Sequence, residues 1–145
     1  MFYGEYIHSI DRKGRIILPA KFREVAKSHF VERFFVTRGL DKCLFMLPEE
    51  EWRALENRLK AISFTKKESR TFNRLFFSGA AEMDCDAQGR ILLPQYLKDY
   101  AEIKRDVVIV GVSSRIEIWA KDKWEDFYGN SRQSFEEIAE RLFNE

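Results

Sequence analysis

Asp11-Arg12-Lys13-Gly14-Arg15-Ile16-Ile17-Leu18-Pro19 returns 75 positions later as Asp86-Ala87-Gln88-Gly89-Arg90-Ile91-Leu92-Leu93-Pro94, with six of the nine residues identical. A repeat of this kind marks one supersecondary unit built twice, so fold and pseudo-symmetry must be read together. The likeness continues downstream. Leu44 to Trp52 aligns with Ile116 to Trp124, now at an offset of 72. The first copy therefore holds three extra residues between its motif and its second half, expected in a loop near Ser28 to Glu32.

Working outward from the motif, Tyr3 to Ile10 mixes β-branched and aromatic residues and reads as a strand. Asp11 and Gly14 occupy the first and fourth positions of a type I turn, and Gly14 suits the positive φ that follows such a turn in a hairpin. Arg15 to Leu18 is the returning strand. Pro19 fits the first turn of a helix, where its missing N–H is not needed, and Phe22, Val25 and Ala26 give that helix an apolar stripe. Arg33 to Arg38 and Cys43 to Leu47 are two more strands. The second copy supplies strands at Ala80 to Cys85, Arg90 to Leu93, Asp106 to Val112 and Arg115 to Trp119, with a helix from Pro94 to about Ala101.

Each β-module is followed by helical sequence. Trp52, Leu55, Leu59 and Ile62, then Phe72, Leu75 and Phe76, recur at helical spacing on either side of Ser63-Phe64-Thr65. Trp124, Phe127 and Tyr128, then Phe135, Ile138, Ala139, Leu142 and Phe143, do the same at the end of the chain. The expected organisation is a first module over 1–51, a helical connector over 52–79, a second module over 80–123 and C-terminal helices over 124–145. The apolar helix faces either cap the β-core or make subunit contacts. A module of about 45–50 residues buries too little apolar surface to stand alone, so the two copies are expected to share one core in an α+β fold.

Of 145 residues, 45% are hydrophobic and 14% aromatic, enough for one substantial core. The longest apolar run, Val107 to Val112, is far shorter than a membrane span, and Met1 to Glu5 shows no leader pattern, so a cytoplasmic chain is expected. Cys43 and Cys85 lack the local spacing of a metal clip or redox pair and read as small buried hydrophobes. The overall charge of +1 conceals a gradient: residues 1–47 carry net +4, residues 48–82 net +1, and residues 83–145 net −4. A basic first module points to a polyanionic partner.

Catalytic signals are sparse. His8 and His29 are the only histidines, and there is no H-E-x-x-H, G-x-S-x-G, G-x-G-x-x-G or P-loop pattern. Asp84 and Asp86 would share a strand face, where a solvated surface is a plainer reading than a cation site. No enzyme activity, metal or cofactor is expected. The basic cluster differs in kind, because Arg12, Lys13 and Arg15 surround a glycine turn and Lys21 and Arg23 follow on the adjoining helix. Such a turn is either an ordinary solvated loop or a DNA-facing tip, since the major groove admits a two-stranded ribbon and arginine pairs bidentately with guanine. Asp11 with Arg15 recurs as Asp86 with Arg90, whereas Arg12 and Lys13 become Ala87 and Gln88. This separates a turn-making skeleton from a charge added to one copy.

The two Asp-x-x-x-Arg hairpins, the opening Met1-Phe2-x-Gly4 and the segment Pro48 to Trp52 closing the first module resemble the MraZ family over nearly the whole chain. The resemblance implies tandem pseudo-symmetric, swapped-hairpin AbrB-like β-modules interlocked into one double-psi-like barrel core. It implies a transcriptional regulator that binds double-stranded DNA at direct repeats upstream of the division and cell-wall gene cluster. A ring-shaped homo-oligomer, an octamer or a close relative, is implied as well, in the cytoplasm and associated with the nucleoid. On this resemblance Arg12, Lys13 and Arg15 contact DNA, and Lys21, Arg23, Gln88 and Arg90 are further candidates. Asp11, Gly14, Asp86 and Gly89 shape the loops. A non-enzymatic interaction scaffold, using the helices and the acidic second module, is the alternative.

Overall fold

Alternating apolar residues form strands, and a proline after each motif opens a helix, so the chain runs through two copies of one series. The computed structural model describes residues 1–144. The first copy comprises β1 (Phe2–Ser9), β2 (Arg15–Ile17), α1 (Ala20–Ser28), β3 (Phe34–Arg38) and β4 (Leu44–Pro48). Two connector helices follow, α2 (Glu49–Lys60) and α3 (Lys67–Ser78). The second copy comprises β5 (Ala81–Met83), β6 (Arg90–Leu92), α4 (Gln95–Tyr100), β7 (Asp106–Ser113) and β8 (Arg115–Ala120). It is followed by α5 (Lys121–Ser131), a short 3-10 turn at Arg132–Ser134 and α6 (Phe135–Phe143).

All pairings are antiparallel, in a six-stranded sheet ordered β1-β7-β8-β4-β3-β5 and a separate ribbon of β2 with β6. That order is palindromic once corresponding strands of the copies are equated. The first strand of each module joins the other module's sheet: β1 pairs with β7, and β5 pairs with β3. Two ladders cross the pseudo-dyad itself, one centred on Ile16 opposite Ile91 and the other on Phe45 opposite Glu117. Leu18 N–H donates to Gly89 O at 2.9 Å, and Leu93 N–H donates to Gly14 O at 2.9 Å, so each module closes the other's turn.

Two expectations are corrected here. β1 and β2 do not form a paired hairpin, because only the turn is closed, by Asp11 N–H to Arg15 O at 3.0 Å, after which β2 turns to β6. The ladders also do not close into a barrel. β1 and β5 remain edges of the large sheet, and the three-residue strands β2 and β6 pair only with each other.

The shared core follows from the exchange. Phe2, Ile16, Leu18, Phe22, Phe34 and Met46 pack with Ile91, Leu93, Leu97, Ile109, Ile116 and Ile118 in one buried cluster drawn from both copies. The opposite face of the sheet is covered by helices, so β3, β4 and β7 carry apolar residues on both faces, and β8 adds Trp119 there. On the first module Trp52 of α2 stacks between Phe35 (5.1 Å between centroids) and Phe76 of α3 (5.6 Å). On the second, Trp124 of α5 packs edge-on against Trp119 at 5.3 Å. Glu117, otherwise an isolated buried carboxylate, accepts from Arg115 Nε at 2.9 Å and Trp119 Nε1 at 3.0 Å.

The three extra residues of the first copy lie in a helix and not in the expected loop. α1 has nine residues and α4 six, yet both end alike, with Phe30 (φ 57°) and Glu102 (φ 55°) in the left-handed region. Val31 N–H then reaches back to Ala26 O at 2.8 Å, and Ile103 N–H to Lys98 O at 2.9 Å. This backward bond satisfies carbonyls left free at a helix end. Val25 and Ala26 supply the physical reason for the longer helix, since they extend its apolar stripe onto the core. β5 is also shorter than the expected Ala80 to Cys85, ending at Met83.

The exchange depends on close approach of β1 to β7. A Cβ added at Gly111 would lie 2.5 Å from both the Phe2 carbonyl carbon and the Tyr3 nitrogen, backbone atoms that cannot swing aside. Gly111→Ala is expected to destabilise the fold by about 1–3 kcal/mol, the usual range for overpacking. Urea unfolding checks this; a midpoint equal to that of the parent protein would contradict the close approach.

Candidate nucleic-acid interface

Each motif folds into a turn organised by one aspartate. Asp11 Oδ1 accepts from Lys13 N–H at 2.9 Å and Arg15 N–H at 2.8 Å, while its Oδ2 accepts from Arg15 Nε at 2.7 Å. Asp86 repeats the arrangement with Gln88 N–H at 3.0 Å, Arg90 N–H at 2.9 Å and Arg90 Nε at 2.7 Å. Short polar side chains that bind backbone N–H groups two residues on are the ordinary means of fixing such turns. Gly14 (φ 84°) and Gly89 (φ 79°) take the left-handed conformation that ends each turn, where a side chain would be strained. The two copies share one skeleton to within 0.1 Å in these contacts.

The tips differ in what they display. Arg12 and Lys13 are exposed and, among the described residues, have no side-chain hydrogen bond or ion pair. Arg15 uses Nε for Asp11 and leaves its terminal nitrogens without such a partner. Arg90 is more fully engaged, because Gln88 Oε1 also accepts from its Nη2 at 3.2 Å. The first tip is thus a fixed loop with free positive charge, and the second holds its arginine on two acceptors.

Between the tips lies the β2–β6 ribbon. Ile16 and Ile91 face the core, while Arg15, Ile17, Arg90 and Leu92 form the outer face. Lys21 is exposed on α1. Arg23, also on α1, donates from Nε to Leu18 O at 3.0 Å and lies across the second tip at Gly89. Its counterpart in the second copy, Lys98, places Nζ beside Gly14 of the first tip. Sequence reasoning did not single out Lys98. The signal that could have found it was its offset of 75 from Arg23 with the basic character kept.

The other chemistry-bearing residues are placed as follows. Asp84 lies beyond the end of β5 and Asp86 within its turn, so the two do not share a strand face as expected, and Asp86 is occupied by N–H donors. Cys43 is buried with its thiol donating to Leu40 O at 3.1 Å, and Cys85 is half-buried. Burial pushes both thiols up from their ordinary pKa, which suppresses the nucleophilic thiolate. Among the described residues, no three His, Cys, Asp or Glu side chains gather as a metal site.

Backbone N–H donation from Arg15, aided by its side chain, holds the Asp11 carboxyl below the ordinary carboxylate range, and Arg90 does the same for Asp86. A pKa lowered by folding means that the turn is favoured above the unfolded value and loses that support as pH falls through the folded one. Amide NMR signals of Lys13, Arg15, Gln88 and Arg90 are therefore expected to titrate together with midpoints below about 3.9, the ordinary aspartate value. Midpoints at or above that value would contradict the turn chemistry.

A family model described as "MraZ protein" matches the chain twice, over residues 1–75 and 76–145. The curated protein "Transcriptional regulator MraZ" of Syntrophomonas wolfei is 53% identical over 142 residues, covering 98% of this chain and 96% of its own. Those of Acetivibrio thermocellus and Carboxydothermus hydrogenoformans are 53% and 49% identical over the same lengths and shares. With both halves matched, and relatives at this identity spanning nearly all of it, the chain belongs to the MraZ family of transcriptional regulators.

Proposed function

We propose that this regulator acts by sequence-specific binding of double-stranded DNA, with Arg12, Lys13 and Arg15 of the first tip as its principal contacts. The observation that carries the reading is the exposed, uncompensated charge of Arg12 and Lys13 on a turn already fixed by Asp11 and Gly14. Phosphate contacts by such side chains release counterions and supply affinity, while an arginine fork reads guanine in the major groove. Because the loop is ordered before binding, little entropy is lost when it docks. The reciprocal β2–β6 contacts support reading the core as the swapped-hairpin arrangement of AbrB-like proteins.

The sites proposed are direct repeats upstream of the division and cell-wall gene cluster, met by a ring-shaped homo-oligomer of octamer-like size in the cytoplasm and on the nucleoid. One tip alone binds weakly. A ring presenting several tips to successive repeats gains affinity by roughly a hundredfold or more without any new kind of interaction. Support for self-association comes from α6, which buries no side chain within the chain and leaves Phe135, Leu142 and Phe143 exposed. Among the described residues no helix is long and apolar enough to cross a membrane.

Selection of duplexes from a random-sequence pool, followed by anisotropy titration of the enriched duplex and a scrambled one, tests the reading. The enriched duplex is expected to bind tighter, with affinity falling steeply as salt rises. Arg15→Ala should cost about 1–3 kcal/mol on the enriched sequence if it reads a base. Replacing Arg12 and Lys13 by Gln should flatten the salt dependence by about 0.9 in logarithmic slope for each phosphate that is no longer neutralised. No enrichment and no salt-dependent binding by the folded oligomer would overturn the reading and favour an interaction scaffold.

A further inference from the structure

The second tip lacks the charges of the first, since Ala87 and Gln88 stand where Arg12 and Lys13 do, yet it is not without a cation. Arg23 of α1 crosses from the first module and lies against Gly89, so that a Cβ built there would fall 2.7 Å from its Cδ, Nε and Cζ. The absence of a side chain at Gly89 is what admits the guanidinium stem. Nε is anchored on Leu18 O at 3.0 Å, and this leaves both terminal nitrogens without a hydrogen bond. The pseudo-dyad repeats the device in a looser form. Lys98 of α4 crosses from the second module and brings Nζ to within 3.2 Å of the Cβ position of Gly14. Neither Arg23 nor Lys98 has a carboxylate partner among the described residues.

The turns sit at opposite ends of the β2–β6 ribbon, because Gly14 closes on Leu93 and Gly89 on Leu18. These points lie four residues apart along the strand, about 13 Å at ~3.3 Å per residue. Outward side chains between them are Arg15 and Arg90 with the exposed Ile17 and Leu92. The resulting surface therefore has a cation delivered to each end by the helix of the opposite module.

We propose that Arg23 and Lys98 are DNA-phosphate contacts, one flanking each end of the ribbon, so that the second tip engages the duplex through a cation borrowed from the first module. This rests on the DNA-binding reading above and extends it from one tip to the whole ribbon. Arg23, exposed and anchored at Nε, presents its free N–H groups at a set position, which suits a phosphate oxygen, and the half-buried Lys98 brings an unpaired ammonium beside the first tip. Contacts of this kind position the protein and carry no sequence information of their own. Loss of either side chain should weaken binding equally on the enriched and scrambled duplexes.

The test compares the parent protein with Arg23→Gln, Arg23→Lys, Lys98→Gln and the double Gln variant. Anisotropy on the enriched duplex of the selection described above is measured across a salt series. Each single Gln variant is expected to shallow the slope of log affinity against log salt by about 0.9, and the double variant by about twice that. Arg23→Lys should keep the parent slope while giving up the Nε hydrogen bond to Leu18 O, which a merely structural arginine would not allow. The Lys98 side chain makes no hydrogen bond or ion pair among the described residues, so its variant reports on DNA even if the Arg23 variants are destabilised. If the parent binds with a salt dependence and the folded Lys98→Gln and Arg23→Gln proteins share its slope, the inference is overturned and the first tip acts alone. If the parent shows no salt-dependent binding, the DNA reading falls with it.

Discussion

The structure depends on a reciprocal hydrogen-bonded exchange in which each half of the chain completes the other. Leu18 bonds to Gly89, Leu93 bonds to Gly14, and β1 and β5 each complete the opposite sheet. Half a chain therefore has neither a finished sheet nor a closed motif. The consequence for packing is that the core cannot be assigned to one module. Ile16 meets Ile91 at its centre, and Phe2 packs on Phe22 and Phe34 only because β1 is held in place by β7. Cooperative unfolding of the β-core as one unit follows from such interdependence.

The same exchange explains how a loop can be rigid and still functionally free. Asp11, Gly14 and the carbonyl of Arg15 fix the turn through backbone contacts, so the side chains at Arg12 and Lys13 carry no structural duty. Loops that hold exposed functional groups on a rigid scaffold are common, and here the scaffold is the other module. The cost falls on Arg15. Its Nε is committed to Asp11, which neutralises part of the local charge while aiming the remaining fork.

Much of the fold was legible in the sequence because its signals are local. Asp and Gly at fixed turn offsets, a proline at the start of the helix after each motif and alternating apolar strands located nearly every element. The partnership of those strands was not legible from the residues themselves. Tyr3 to Ile10 and Arg15 to Leu18 look like a hairpin when read in order, since nothing in their composition shows that β2 turns away to β6. The extra residues near Ser28 likewise suggest a loop, until the matching backward bonds of Val31 and Ile103 show the added length to lie in α1. For the candidate site, the charge at Arg12 and Lys13 stood out as a local departure between copies. Lys98 did not, because its place beside Gly14 exists only once the modules cross.

Joining two modules in one chain has an effect that two separate copies could not reach. Identical subunits about a true dyad must present identical ends, and suit inverted half-sites. Here Arg12 and Lys13 mark one end of the ribbon, and Ala87 with Gln88 mark the other, on a common frame. The ribbon thereby acquires a head and a tail. A polymer read by such a surface is met in one orientation only, so successive copies would be laid down all facing the same way.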